Sequence, residues 1–260
     1  MQNLLVQIWL SYRALFMWLS WPSYLSNVFF RPMLNVVMFS LVGRFVGHPE
    51  AAQKYVLGMA LFSIAEIVMS GVIQTFSYER GFGTLPLIYA SPASRFWSYA
   101  ARAGMHYPNG LMSFALSVIF GAVFLGFDYS QLNWLSFFVA VFVVTLSSTA
   151  YALFIGNIAL IYRNWTAIYS FSSSVLLLLT GVLIPVDVLP LPLQAVAQLL
   201  PLTHGLEGFR AAFRGGDLSA LADPLLWELA IGFAYVIIGF ASFRFIEEAA
   251  RRTGMIEAGI

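Results

Sequence analysis

Six long apolar stretches lie between Ser23 and Ile246, joined by short polar hinges, and no other feature of the chain limits its fold so sharply. The hydrocarbon core of a bilayer is about 30 Å thick, so a helix rising about 1.5 Å per residue needs about 20 apolar residues to cross it. Inside lipid, every backbone N–H and C=O must be bonded within its own segment or within a closed sheet. The runs are continuous and do not alternate with period two, which excludes a barrel and leaves an all-α bundle. Composition agrees. Sixty per cent of the 260 residues are hydrophobic and 10% are charged, with a mean hydropathy of +0.81, too little charge to cover a soluble domain of this size. The chain reads as a polytopic membrane protein, one bundle over residues 1–260 with no low-complexity linker.

The pattern predicts spans from Ser23 to about Val46, Lys54 to about Phe76, about Arg102 to Phe127, Trp134 to Tyr162, Ala167 to Ile184, and Pro224 to Ile246. Pro108-Asn109-Gly110 is expected to interrupt the third span, and Asp223-Pro224 to start the sixth, an acceptor cap followed by Pro where no N–H is needed. Two apolar segments do not read as simple spans. Residues 1–20 carry Leu4, Leu5, Ile8, Trp9, Tyr12, Leu15, Phe16 and Leu19 at helical spacing, as expected of an interfacial amphipathic helix rather than a short buried one. A cleavable signal peptide is not expected, because Arg13 interrupts the run and no small-x-small site precedes Trp21. Residues 185–216 hold Pro185, Pro190, Pro192 and Pro201, too many for a continuous span. Two short broken helices, about Leu191 to Leu200 and Thr203 to Phe213, are expected there as re-entrant pieces on the outer side.

Arginine placement orients the bundle. With the amino terminus inside, the inner face receives Arg13, Arg80, Arg95, Arg102, Arg163, Arg244, Arg251 and Arg252, and the outer face Arg44, Lys54, Arg210 and Arg214. Both termini are therefore expected in the cytoplasm. The only lysine, Lys54, follows Gln53, so the chain has no Gly-Lys-Ser/Thr phosphate loop. His48, His106 and His204 fall on three separate segments without zinc-site spacing, and cysteine is absent. No catalytic constellation, cofactor site or nucleic-acid surface is read. Such a chain transports, gates, anchors or assembles, and uphill transport would draw on an ion gradient or another subunit.

Two hinges carry specific patterns. The loop after the second span reads Glu79-Arg80-Gly81-Phe82-Gly83-Thr84-Leu85-Pro86-Leu87-Ile88-Tyr89-Ala90-Ser91-Pro92. The segment after the fifth reads Thr180-Gly181-Val182-Leu183-Ile184-Pro185-Val186-Asp187-Val188-Leu189-Pro190 and continues to Leu200-Pro201-Leu202-Thr203-His204. Together with the six-span layout and the amino-terminal helix, these resemble the membrane subunit of ABC type-2 exporters over nearly the whole chain. The chain departs from that pattern at Pro86, where the family usually has Glu. The resemblance implies a half-transporter in the bacterial cell (plasma or inner) membrane. Two membrane subunits, expected to be identical, would work with two separate ABC ATP-binding subunits that hold ATP and Mg. It implies that residues 79–99 form a cytoplasmic coupling loop docking on the ATPase, with Glu79, Arg80, Gly83, Thr84, Leu85, Leu87, Tyr89, Ser91 and Pro92 as its functional residues. The plain alternative is a solvated connector whose arginines only enforce topology. The near-complete Glu-Arg, Gly-Thr-Leu and Ser-Pro signature is closer to drug- and lipid-exporting relatives than to polysaccharide exporters, implying amphipathic or hydrophobic cargo and multidrug-efflux-like behaviour.

Arg31 and Glu66 are the sharpest single signals, since an ionisable group inside a bilayer costs at least about 2.5–3.5 kcal/mol. They are expected to face the bundle interior, as a packing pair or a gate, or to line a substrate path. Ser170, Ser172, Ser173 and Ser174 suggest close helix packing, or the border of a pathway near the dimer axis that first and fifth spans approach in that family. His204, Glu207 and Arg210 share one helix face, which suits an outer gate or an interfacial polar edge. Pro185, Asp187, Pro190 and Pro201 complete that outer group. Rival readings are a polysaccharide or glycolipid exporter permease, a proton-driven secondary transporter using Glu66, and a membrane scaffold.

Overall fold

The computed structural model describes residue 22 and residues 25–46, 49–81, 95–161 and 164–253. The interfacial helix expected over 1–20 lies outside them. Every long element described is helical. A π turn at Ser26–Phe30 leads into α1 (Arg31–Val46), followed by α2 (Pro49–Gly81), α3 (Arg95–Ala103), α4 (Tyr107–Leu125) and α5 (Trp134–Ile161). Then come α6 (Trp165–Leu179), α7 (Leu191–Gln198), α8 (Thr203–Phe213) and α9 (Leu218–Thr253).

Helix α2 is the hub. Over its span Ala52–Thr75, 89% of the most apolar window is buried, and α1, α4, α5 and α6 all pack on it. Helix α5 is the second core element, 72% buried, and α9 lies against it. Asn157 on α5 donates to the Gly239 carbonyl at 2.7 Å and the Ser242 hydroxyl at 3.0 Å, tying those two helices near the end of α5. The spans that include α4 and α9 are only 33% and 28% buried. Their free faces carry Ile119, Val123 and Phe124, and Phe233, Ile237 and Phe245, as suits helices facing acyl chains rather than water.

Among the described residues, four helical stretches are long and apolar enough to cross a membrane: Ala52–Thr75, Ser98–Leu125, Trp134–Ala159 and Leu218–Phe245. The first and fifth expected spans are shorter as α-helices, with 16 residues in α1 and 15 in α6. In the first, Pro32 lacks the N–H for an ordinary bond and its ring crowds the carbonyl one turn back, so the chain widens into the π turn just ahead of Arg31. In the fifth, the helix stops at Leu179 rather than Ile184. Thr180 closes its hydroxyl on the Leu176 carbonyl at 2.6 Å, and Gly181 takes the left-handed conformation (φ 83°) that ends the helix.

Two boundaries correct the sequence reading. The break in the third span is a 3₁₀ turn at Gly104–His106, upstream of Pro108. Pro108 sits in the first turn of α4, where a missing N–H costs nothing. Helix α9 starts at Leu218 and contains Pro224 in its interior. Its cap is Asp217, which accepts from the Ser219 hydroxyl at 2.7 Å and the Ala220 N–H at 3.0 Å. Those donors hold the exposed Asp217 carboxyl below its usual pKa, the hydroxyl first and the amide second.

The proline-rich segment folds as the two short helices its spacing predicts. Helix α8 lies along α5, and its end meets the start of that helix, where Asn133 N–H donates to the Ala212 carbonyl at 3.1 Å. Its beginning lies beside Val144, one turn before Ser147. Ser147 is 13 residues into α5 from Trp134, about 20 Å along the helix. The chain thus runs through α7, turns at buried Pro201 and Leu202, and returns as α8 along α5. That path is a helical hairpin.

Candidate functional site

The first polar centre joins three helices. Arg31 opens α1, Glu66 lies midway along α2, and Tyr169 is in the second turn of α6. Arg31 Nη2 forms an ion pair and hydrogen bond with Glu66 Oε1, and the Tyr169 hydroxyl donates to the same oxygen at 3.0 Å. It is the one ion pair within 4.0 Å among the described residues. The partners are unequal. The Glu66 side chain is 10% exposed and that of Arg31 is 52% exposed. The carboxylate is the buried member and the guanidinium opens to the surface, so loss of the cation would strand the carboxylate, while loss of the carboxylate leaves an arginine that can turn outward.

Sequence reasoning marked Arg31 and Glu66 but missed Tyr169. Its signal was weak, one tyrosine in an aromatic-rich chain, and only the approach of α6 to α2 reveals it. Of the serine cluster, Ser172 is buried, while Ser170 and Ser174 are on the exposed face of α6.

The second centre is the tip of the α7–α8 hairpin, and it turns on a residue the sequence reading passed over. Glu228 of α9 is fully buried, and both its oxygens are engaged. Oε1 accepts from the Ser147 hydroxyl of α5 and from Leu202 N–H at 2.7 Å, and Oε2 accepts from Gly205 N–H at 2.8 Å. The sequence does carry a signal, because Glu228 is a carboxylate four residues after Pro224 within an apolar run. A start set at Pro224 would put it within five residues of the helix start. With the helix starting at Leu218, it lies inside the apolar span Leu218–Phe245.

The remaining outer residues do not form one cluster. His204 packs its ring on Trp227, with centroids 6.2 Å apart, and its Nε2 lies 3.2 Å from the Gln198 carbonyl. Glu207 is exposed. Arg210 donates Nη2 to the Gly181 carbonyl at 3.0 Å, bracing α8 against the end of α6. Asp187 is exposed, and its carbonyl accepts from the Gln194 side chain at 3.2 Å. Pro185 and Pro190 precede the 3₁₀ turn Val186–Val188 and α7, and Pro201 is buried at the hairpin tip. No ion pair links His204, Glu207 and Arg210.

The loop from Glu79 to Arg95 lies mostly outside the described residues. Helix α2 runs unbroken to Gly81 and so carries the backbone of Glu79 and Arg80. Gly83, Thr84, Leu85, Leu87, Tyr89, Ser91 and Pro92 are not described.

Four described helices long and apolar enough to cross a membrane, with an ion pair joining α1 to α2, fit a polytopic membrane protein. Residues 5–213 match the model of a family described as ABC-2 type transporter, and the chain belongs to that family. Membership makes it a multi-pass permease subunit of an ABC transporter and implies an ABC ATPase as its partner. No curated protein matches the chain. The family match closes at Phe213, the last residue of α8, so α9 and Glu228 lie beyond it.

Proposed function

We propose that the chain is the permease of an ATP-driven exporter of amphipathic or hydrophobic cargo, drug-, antibiotic- or lipid-like. Two such membrane subunits work with two ATP-binding subunits that hold ATP and Mg. The observation that carries this reading is the Arg31–Glu66–Tyr169 centre. It joins α1, α2 and α6 at the end of the bundle where α1 and α6 begin, and α2 continues from it without a break to the coupling loop. Glu66 and Gly81 are 15 residues apart on one helix, about 22 Å, so a push on the loop reaches the ionic centre through a rigid rod. Alternating access then amounts to breaking and remaking that centre. A carboxylate already held by Arg31 and Tyr169 counts against the proton-driven alternative.

Helices α1 and α6, preceded by the π turn and followed by the re-entrant segment, supply the two remaining spans of a six-span layout. Their uncovered faces (Leu34, Met38, Leu41 and Phe45 on α1, Phe171 and Leu178 on α6) suit a second, identical membrane subunit. In this reading both termini and residues 79–99 face the cytoplasm of a bacterial cell. The chain has no cysteine, so single-Cys labelling reads this orientation directly. A Cys at Ser94 should resist an impermeant maleimide in intact cells and react in inverted vesicles, and labelling from outside would reverse the topology.

The coupling role has its own test. Leu85, Leu87, Ile88 and Tyr89 put apolar side chains on a loop flanked by Arg80 and Arg95, a composition suited to a protein contact. Replacing Leu87 and Tyr89 with Ser should leave membrane insertion intact, weaken co-purification of the ATPase at least tenfold, and abolish substrate-stimulated hydrolysis. Normal recruitment and normal transport by the double variant would reduce the loop to a connector.

A further inference from the structure

We infer that Glu228 is a positioning residue for export, which locks the tip of the re-entrant hairpin to α5 and α9 and so sets the closure of the outer half of the pathway. This inference rests on the exporter reading above. It starts from a physical requirement. A helix that begins inside a bilayer exposes free N–H groups and the positive end of its dipole where no water can satisfy them. Helix α8 brings no cap of its own. Leu202 holds the cap position with φ 81°, an uncommon conformation for a residue other than Gly, and has no side-chain acceptor. The Thr203 hydroxyl is spent on the Ala197 carbonyl at 2.7 Å, which closes the turn from α7 instead.

The missing acceptor comes from another helix. Glu228 accepts the Leu202 and Gly205 amides and the Ser147 hydroxyl, so one carboxylate caps α8 and ties it to α5 and α9 together. The fit is close. A Cβ at Gly205 would lie 3.1 Å from Glu228 Cδ and would run into Val144 of α5, so glycine is what lets the amide reach the carboxylate. Because the cap is borrowed, α8 cannot tilt from α9, nor α9 slide along α5, without uncovering amides at membrane depth. A local Ser or Asp cap would satisfy the same amides and leave the hairpin free to move. The borrowed arrangement makes the hairpin's position depend on that of α9.

The test uses Glu228→Gln and Glu228→Asp in the cysteine-free full chain, each with and without a reporter Cys at Ala197, a fully buried position at the end of α7. Gln keeps the volume but turns an N–H₂ toward one of the donors, and Asp keeps the charge but falls one methylene short. Maleimide labelling of the reporter is read first, on the permease in membranes without any ATPase, so it stands whether or not ATP-driven export is found. Labelling should rise at least fivefold in Glu228→Gln and less in Glu228→Asp. With the ATPase present, export per inserted permease should fall at least tenfold in Glu228→Gln and partly recover in Glu228→Asp, while basal hydrolysis stays within about twofold of wild type. Unchanged labelling would overturn the inference. So would increased labelling with normal export, or a fall in export and hydrolysis in equal proportion. Failure of both variants to accumulate in the membrane would make Glu228 a folding determinant and also overturn it. Transport by the unsubstituted permease that needs no ATPase, with labelling raised and that transport impaired in Glu228→Gln, would sink the exporter reading and leave the latch standing.

Discussion

Arg31→Gln should abolish most transport and do more damage than Glu66→Gln, although the two residues form one pair. The asymmetry follows from exposure. Removing the arginine leaves a carboxylate only 10% exposed, with the Tyr169 hydroxyl as its remaining side-chain donor among the described residues. Stranding a fully buried charge costs about 3–5 kcal/mol, an upper bound here because Arg31 is itself half in solvent. Glu66→Gln instead leaves an arginine that can reach water or headgroups along its stem. The expected result is at least a tenfold loss of transport for Arg31→Gln, a loss of a few fold for Glu66→Gln, and a double variant closer to Glu66→Gln than to Arg31→Gln. Tyr169→Phe removes one hydrogen bond to a charged group, about 1.5–3 kcal/mol, and should fall between wild type and Arg31→Gln. Transport per inserted permease and recovery of the assembled complex check the series. Independent, additive effects of the two Gln substitutions would mean that the ion pair does not act as a unit.

What the sequence could and could not disclose follows from how each feature is encoded. The long apolar runs of α2, α4, α5 and α9 were legible because membrane crossing demands length and hydropathy, both local properties. The short helices α7 and α8 were legible because four prolines leave little else. Arg31 and Glu66 stood out because charge in an apolar run is rare, but their pairing, 35 residues apart, depends on how α1 packs on α2. Tyr169 was not legible, since a phenol among many aromatics signals nothing until α6 brings it to Glu66. Glu228 was passed over. Asp223-Pro224 looks like a helix start, yet Asp217 supplies the cap and Pro224 is tolerated inside α9. The stop at Leu179 depends on Thr180 and Gly181, where apolar residues continue to Ile184 and hide it.

The energy source decides whether this permease works as proposed. The 260 residues hold no Gly-Lys-Ser/Thr phosphate loop, and the family implies an ABC ATPase as partner. The decisive measurement is efflux of a fluorescent amphipathic dye in proteoliposomes holding the permease with its ATP-binding subunit, compared with liposomes holding either alone. Export should require both chains and Mg-ATP, persist when an uncoupler collapses the proton gradient, and vanish when the phosphate-loop lysine of the ATPase is replaced. The isolated permease should give no heat on titration with Mg-ATP. Dye movement by the permease alone that collapses with the uncoupler, or nucleotide binding by the isolated chain, would contradict the ATP-driven reading.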